Sequence, residues 1–551
     1  MWLERLKWPT LLMLVFCVAA LFRIPALSES FWIDEVMSAA IITDSWDVML
    51  TRVGFTDVHP PGYYLLLKAW VLVWGESDIA LRLLSFLAGM FTIWMVMLWV
   101  RHYTNWSIAF VAGVLLASLP FHVHYSVEVR SYALFTAAAL SLAWASERWL
   151  RSPTRSSFWR LVILEVLTLY LHYYSLLVVV LLNLYVLSAK REKRLRIRWF
   201  QAQSIALAAF SAWVPLLLVQ VFELPQVMKA HLSDELPFSR VLSSLSPLPS
   251  ASPTTLSLLW GCGILAMAFL GSWWMRSEAQ SENVPEHSCP PWGVRTLLVL
   301  SCVFLFSPLL AFSALPMSDA MAEAYLNQLP WSYLLIAVAL ILGAILTWQS
   351  KLDIRLALPL WLMLGGPLLV LILHQVQPML FLRNLLVFVP FVVILAAFSL
   401  TKTPLSFQLV LSLLFFSAGL GSTGMGSEAF MPRQDFKGVA KALKKEGGVT
   451  LMVAPAWDAP GIARYRESPA PVPVMEAHDV ARQASKGEPL VVLLARPERH
   501  DLAAREIEAA LGPRWRLREM REFRGHRGAM RWLKYDDEVD SGPKPDSASG
   551  R

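Results

Sequence analysis

Two adjacent acids, Asp34 and Glu35, follow the first long apolar run, and His59-Pro60-Pro61 closes the loop that they open. A carboxylate at a membrane face can act as general base on an acceptor hydroxyl or amine, or can ligate a divalent cation. Both acids are equally compatible with a solvated helix start, where the dipole favours negative charge. Between FWIDE and HPPGYY lie Asp44, Asp47 and Asp57, with Arg52 as the counter-charge. A plain connection between spans needs only a few polar residues, so a long acidic loop with a rigid turn reads as a site. His59 suits a phosphate, a metal ion, the positioning of Asp34, or the cap of a proline-started helix. With Asp34 and Glu35 it makes a possible metal set. Tyr63 and Tyr64 can stack on a sugar or anchor a helix at the interface.

A second loop, PFHVHYSVEVRSYAL, brings His122, His124, Glu128 and Arg130 within nine positions. Read as an extended segment, it would put both histidines on one side as a metal pair. Glu128 and Arg130 can pair with each other, or can serve a site, since ionisable groups at membrane depth are costly and usually have a purpose. Arg383, in QPMLFLRNLLVFVP, has no acid close by in sequence. Its planar donors suit a phosphate, and its long stem would also let it snorkel to the interface. His172 and Tyr173 sit at a presumed outer turn and are read as contacts to the same ligand.

Such residues need a scaffold, and the composition names it. Of 551 residues 56% are hydrophobic and only 16% charged, against roughly a quarter charged in soluble domains. The mean hydropathy is +0.51. Long continuous apolar runs predict a polytopic α-helical membrane protein rather than a barrel. Spans of roughly 17–25 residues fit 8–27, 79–100, 106–120, 131–147, 158–171, 172–188, 200–222, 255–275, 294–314, 330–348, 356–374, 380–399 and 404–421, about thirteen in all. The first, Trp8 to Leu27, lacks a small-residue cleavage site and reads as an uncleaved span. Pro60 to Gly75 is short and carries Lys68, so it reads as an interfacial helix, with 38–50 as its partner on the same face. The net charge of +7 comes from short basic loops between spans and gives no reason to invoke nucleic acid. Four cysteines without a CxxC indicate neither a disulfide framework nor a thiolate metal site.

The basic loops RWLRSPTRSSFWR and AKREKRLRIRW should both be cytoplasmic, so the chain must turn back between them, around His172-Tyr173-Tyr174. The N-terminus then lies inside and the loops 28–78 and 121–130 outside. The expected domains are a transmembrane body, 1–424, an external α/β domain, 425–535, and a disordered tail, 536–551. The α/β expectation rests on the strand-length runs VTLMVAP and PLVVLLA, with helical segments DFKGVAKALKKE and HDLAAREIEAALG between and after them.

The order FWIDE, HPPGYYLLLKAW, SDIALRLLSFLAG, PFHVHYSVEVRSYAL, YLHYYSLLVV resembles the bacterial GT-C glycosyltransferases of the protein O-mannosyltransferase-like superfamily. That superfamily includes the lipid A aminoarabinose transferases. The resemblance returns in FLRNLLVFVPF and in RQDFKGVAKALKKEGGVTLMVAP. It implies a first external loop with interfacial helices and the catalytic acid, and a polyprenyl-phosphate-linked sugar as donor. Asp34 would be the base or the acceptor-positioning carboxylate, with Glu35 its neighbour; Glu128 and Arg130 would occupy the acidic and basic positions of the second loop, and Arg383 would lie near the lipid phosphate. Some relatives need a divalent metal and others do not, which leaves the cofactor open. Gly62 departs from a bulky apolar residue in many relatives, and Phe436 from a frequent tryptophan.

An extracytoplasmic site has no access to cytosolic nucleotide sugars, so a lipid-phosphate donor suits this topology. The expectation is a glycosyltransferase of the bacterial inner membrane facing the periplasm or exterior, acting by inversion on a glycolipid, protein or polysaccharide. A transporter or flippase for a lipid-linked substrate would instead call for ionisable groups near mid-span. A non-catalytic envelope assembly protein would leave the acidic loop unexplained.

Overall fold

The computed structural model describes residues 8–188, 192–222, 354–374, 382–422 apart from 399 and 402, 434–446, 450–454, 459–465, 490–495, 509, 511, 515–523 and 530–537. The expected spans 255–275, 294–314 and 330–348, the helix at 500–512 except for two residues, and most of the tail lie outside the described residues. Contacts divide the chain into two units, one of 1–27 with 41–424, the other of 28–40 with 425–551.

In the first unit, α1 (Trp8–Leu27) leads in; α2 (Ile33–Thr43), which begins in the other unit, is followed by α3 (Trp46–Thr56) and α4 (Gly62–Trp74). The helices continue as α5 (Asp78–Tyr103), α6 (Trp106–Ser118), the short α7 (Pro120–Tyr125), α8 (Tyr132–Arg151), α9 (Arg155–Leu171) and α10 (Ser175–Ser188). Then come α11 (Lys193–Phe210), α12 (Val214–Phe222), α13 (Ile354–His374), a 3₁₀ helix over Leu382–Phe388, α14 (Val389–Phe398) and α15 (Leu405–Ser422). By length and composition, three of the described helices can cross a membrane: Trp8–Leu27, Asp78–Tyr103 and Lys193–Val221. Others, such as Trp106–Ser118 and Ser175–Ser188, are apolar but shorter.

Local chemistry sets the helix starts. Ser77 accepts the Ala80 amide at 3.2 Å and Asn105 the Ile108 amide at 3.1 Å, each satisfying an N–H that the helix itself cannot. Thr154 and Ser157 form a reciprocal capping box at the start of α9. The apolar run 158–188 breaks at His172, as its two basic flanks required, so α9 ends at Leu171 and α10 begins at Ser175. The expected partner helix 38–50 is instead the end of α2 and the start of α3, separated at Asp44 and Ser45.

Gly62 opens α4 where a side chain would not fit. A Cβ there would come within 2.5 Å of the Tyr170 carbonyl oxygen, in the last turn of α9. The departure from a bulky residue therefore lets α4 touch the backbone of α9.

In the second unit, α16 (Phe436–Glu446) buries Phe436, Val439, Ala440 and Leu443, a face at helical spacing. It is followed by β1 (Thr450–Ala454), α17 (Ala459–Tyr465), β2 (Leu490–Ala495), β3 (Trp515–Phe523) and β4 (Met530–Asp537). The sheet order is β1-β2-β4-β3. Strands β1 and β2 are parallel, with Leu451 opposite Val491, and β4 runs antiparallel to both β2 and β3. β2 is buried from Leu490 to Leu494, the continuous apolar run expected of a strand covered on both faces. The Phe436 ring packs over Gly461 of α17, where a Cβ would lie 2.4 Å from it.

Candidate active site

In the first unit the acid at the centre is Asp57, not one of the residues that the sequence pattern singled out. α3 ends at Thr56, and the extended backbone of Asp57 caps it. Proline at 60 and 61 fixes the chain direction between this cap and α4. His59 thereby folds back, its Nδ1 2.7 Å from Asp57 Oδ1, while the Val58 amide donates to the same oxygen at 2.6 Å. The Tyr64 hydroxyl donates to Oδ2 in a short hydrogen bond. Arg130 Nη1 in turn donates to the Tyr64 oxygen at 3.3 Å. Burial alone would raise the Asp57 carboxyl, but the His59 imidazole, Arg130 and the Tyr64 hydroxyl outweigh it and hold Asp57 well below the usual carboxylate range. Asp57 is thus an ionised acceptor, which requires that His59 carry its proton on Nδ1 and leaves Nε2 as an acceptor.

His172 faces His59 edge-on, with ring centroids 5.5 Å apart, and stacks on Phe135 at 5.0 Å. The Tyr174 amide donates to its Nδ1 at 3.2 Å. A neutral ring must then carry its proton on Nε2, and that buried nitrogen has no hydrogen-bond partner among the described residues. Burial first, then His59, Arg130 and Arg383, push His172 well below the ordinary histidine range. Arg383 lies over the Tyr132 ring at 5.6 Å, and Tyr132 lies 5.8 Å from His172. Arg130, Arg383 and the His172 Nε2–H thus gather near the Asp57–His59 pair, with Asp57 as anchor. Such a set of directed donors suits an oxyanion.

The loop that carries Arg130 is held from beneath by Arg23, a residue of α1 that sequence reasoning missed. Its Nε donates to Ser126 Oγ at 2.8 Å, one Nη to the Ala117 carbonyl at 2.9 Å, and the other to His122 Nδ1 at 2.8 Å. The expected extended His122–His124 metal pair is corrected here. Residues 120–125 are helical, which turns two residues i and i+2 to different faces, and His122 is spent on Arg23.

Of the residues expected at the site, His59, Tyr64, Arg130, His172 and Arg383 converge. Tyr63 is buried with its ring 5.4 Å from Tyr64. Glu128 is fully buried, and its carbonyl accepts the Arg130 amide at 2.7 Å. Tyr173 has other work: its hydroxyl donates to Gln220 Oε1 and accepts from Trp213 Nε1 at 2.8 Å, while Gln220 Nε2 reaches the Val53 carbonyl at 2.7 Å. It fastens α12 to α3. Nothing but the DxHPP spacing in the sequence signalled Asp57.

Asp34 and Glu35 belong to the second unit. Asp34 is half-buried in the first turn of α2, and Glu35 is fully buried. Glu35 Oε2 accepts the Trp32 amide at 3.2 Å, and the Trp32 carbonyl accepts the Glu35 and Val36 amides. Glu35 therefore serves the helix start. Among the described residues no group of three or more His, Cys, Asp or Glu side chains is placed to hold a metal ion.

Comparison with known proteins bears on this arrangement. No curated protein matches the chain. Its coordinates are similar to apo ArnT from Cupriavidus metallidurans at 15% identity and a TM-score of 0.45, covering 98% of this chain and 99% of that one. For the same protein bound to undecaprenyl phosphate the values are 14%, 0.40, 97% and 99%. For the Archaeoglobus fulgidus oligosaccharyltransferase in complex with zinc and sulfate they are 11%, 0.45, 91% and 70%. At these scores no residue's role is taken from the likeness. The family model described as dolichyl-phosphate-mannose-protein mannosyltransferase matches residues 58–217, the stretch that carries His59, Tyr64, Arg130 and His172. That match covers 58–217 of the 551 residues and shows what this stretch is similar to.

Proposed function

We propose that this protein transfers a sugar from a polyprenyl phosphate to an acceptor at the extracytoplasmic face of the bacterial inner membrane. The observation that carries the reading is the convergence of Arg130, Arg383 and the buried His172 Nε2–H near the Asp57–His59 pair. A phosphate ester leaving a sugar needs directed donors where its charge develops, and a buried site makes each of them stronger. Two arginines and a neutral imidazole N–H supply that charge stabilisation without delivering a proton to the wrong atom.

In this mechanism the acceptor hydroxyl or amine attacks the anomeric carbon while the bond to the phosphate oxygen breaks. Asp34, in the first turn of α2, takes the acceptor proton, a contribution of about 10²–10⁴ in rate. The electron pair leaves on the polyprenyl phosphate, held by Arg130 and Arg383. One displacement inverts the anomeric centre. The acceptor is a glycolipid, protein or polysaccharide, all of which offer the nucleophile that a carboxylate base can activate.

The test is a transfer assay on purified protein with a panel of polyprenyl-phosphate sugars and envelope extract as acceptor. The reading predicts transfer with inverted anomeric configuration by the wild type, and turnover at least a hundredfold lower in Asp34→Asn. Equal turnover in both removes Asp34 from the reaction. Movement of the lipid across vesicles without sugar transfer replaces the reading by a flippase.

A further inference from the structure

The second unit contains both the start of α2 and the C-terminal residues, and the two are joined at the backbone that precedes Asp34. The first N–H groups of a helix have no partner within it. Trp32 occupies the cap position of α2, since its carbonyl accepts the Glu35 and Val36 amides, yet its side chain has no oxygen to give back. Glu35 covers one donor, the Trp32 amide, from three residues on, which is half of a capping box. A further orphan donor is covered from four hundred residues away: Gln434 Oε1 accepts the Ile33 amide at 2.9 Å.

The flanking contacts repeat the pattern. The Tyr465 hydroxyl accepts the Phe31 amide at 2.9 Å. Lys437 Nζ donates to the Ser28 carbonyl at 2.7 Å and the Glu29 carbonyl at 3.3 Å, and its amide to Ser30 Oγ at 3.4 Å. The Arg464 guanidinium lies 4.5 Å over the Phe31 ring. Gln434 is buried, as are Phe31, Trp32 and Glu35. These residues come from the segment before α16, from α16 itself and from the end of α17, so the folded C-terminal unit presents them together.

We infer that the C-terminal domain is a positioning device: Gln434 and Tyr465 cap and hold the start of α2, and thereby set the place of Asp34. The inference rests on the proposed role of Asp34 for its catalytic consequence, while the capping itself stands on the contacts above. It assigns a task to side chains that need never touch substrate.

The experiment uses the full-length protein in nanodiscs, with Gln434→Met, which keeps the volume and removes the acceptor, and Tyr465→Phe, which keeps the ring. Gln434→Glu, which keeps an acceptor oxygen, is the rescue. Hydrogen exchange of the Phe31–Val36 amides is read beside steady-state kinetics. Losing one cap should speed exchange there about fivefold, with kcat about three- to tenfold lower and the KM for the lipid donor unchanged, as expected of a displaced base. Gln434→Glu should return both to wild-type values. Unchanged exchange in both loss variants overturns the capping, and faster exchange with unchanged kcat overturns the positioning. If the wild type transfers no sugar from any donor, the glycosyltransferase reading fails together with the catalytic half of this one. The exchange measurement still decides the capping.

Discussion

Replacing Gly62 with alanine asks whether α4 is held to α9 by direct backbone contact. A Cβ at position 62 would lie 2.5 Å from the Tyr170 carbonyl oxygen, 2.8 Å from the carbonyl carbon and 3.0 Å from the Tyr170 Cβ. The first two are backbone atoms that cannot rotate aside, so α4 would have to lift from α9. Forcing one extra methyl into such a contact costs about 1–3 kcal/mol. Against this, alanine in place of glycine near a helix start returns about 0.5–1 kcal/mol. The net expectation is a loss of about 1–2 kcal/mol, a factor of roughly 5–30 in the folding equilibrium. Because Tyr64 follows within the first turn of α4 and bonds Asp57, turnover should fall as well. Denaturant titration in detergent, followed by tryptophan fluorescence, reads the stability. A stabilised Gly62→Ala, the result for an unhindered helix position, would refute the contact.

Asp57→Asn removes the charge that His59, Tyr64 and Arg130 share, and should cost about 2–3 kcal/mol of stability at pH 7.5, read by the same titration. The variant places a donor against the Tyr64 hydroxyl, so an unchanged midpoint would mean that Asp57 is not the anchor. His172 gives a pH dependence of known sign. Its folded-state value is pushed well below the ordinary histidine range, so the unfolded chain binds its proton first. The stability it contributes is complete above about pH 6.5 and is lost as pH falls below that. Wild type should therefore lose stability relative to His172→Asn on going from pH 7 to 5, and parallel curves would contradict the neutral ring.

How much of this could be read from the chain varies with the kind of signal. Apolar runs and basic flanks are local, so the helix break at His172 and the amphipathic α16 were legible. The polar convergence was legible only in part. Arg130 and Arg383 stood out as charges in apolar context, whereas Asp57 lay among other acids of one loop and became distinct only when Pro60 and Pro61 turned His59 back onto it. Arg23 did not stand out, because nothing local shows that Ser126 and His122 fold against it. Tyr173 lies beside His172, but its partner Gln220 arrives from a later helix, which nothing local signals. Glu35 shared its neighbour's chemistry on paper, and its burial gave it to the helix start instead.

The central claim is that Arg130, Arg383 and the His172 Nε2–H take the phosphate of the lipid donor. Equilibrium binding of undecaprenyl phosphate and of the uncharged undecaprenol to the protein in nanodiscs, wild type beside Arg383→Gln, tests it most directly. Each charge-assisted hydrogen bond to phosphate is worth about 1.5–3 kcal/mol. The account predicts that Arg383→Gln weakens the phosphate lipid by roughly 10–150-fold while leaving the alcohol unaffected. Equal affinity of wild type and Arg383→Gln for the phosphate lipid, or wild-type affinity for the alcohol as high as for the phosphate, would contradict it.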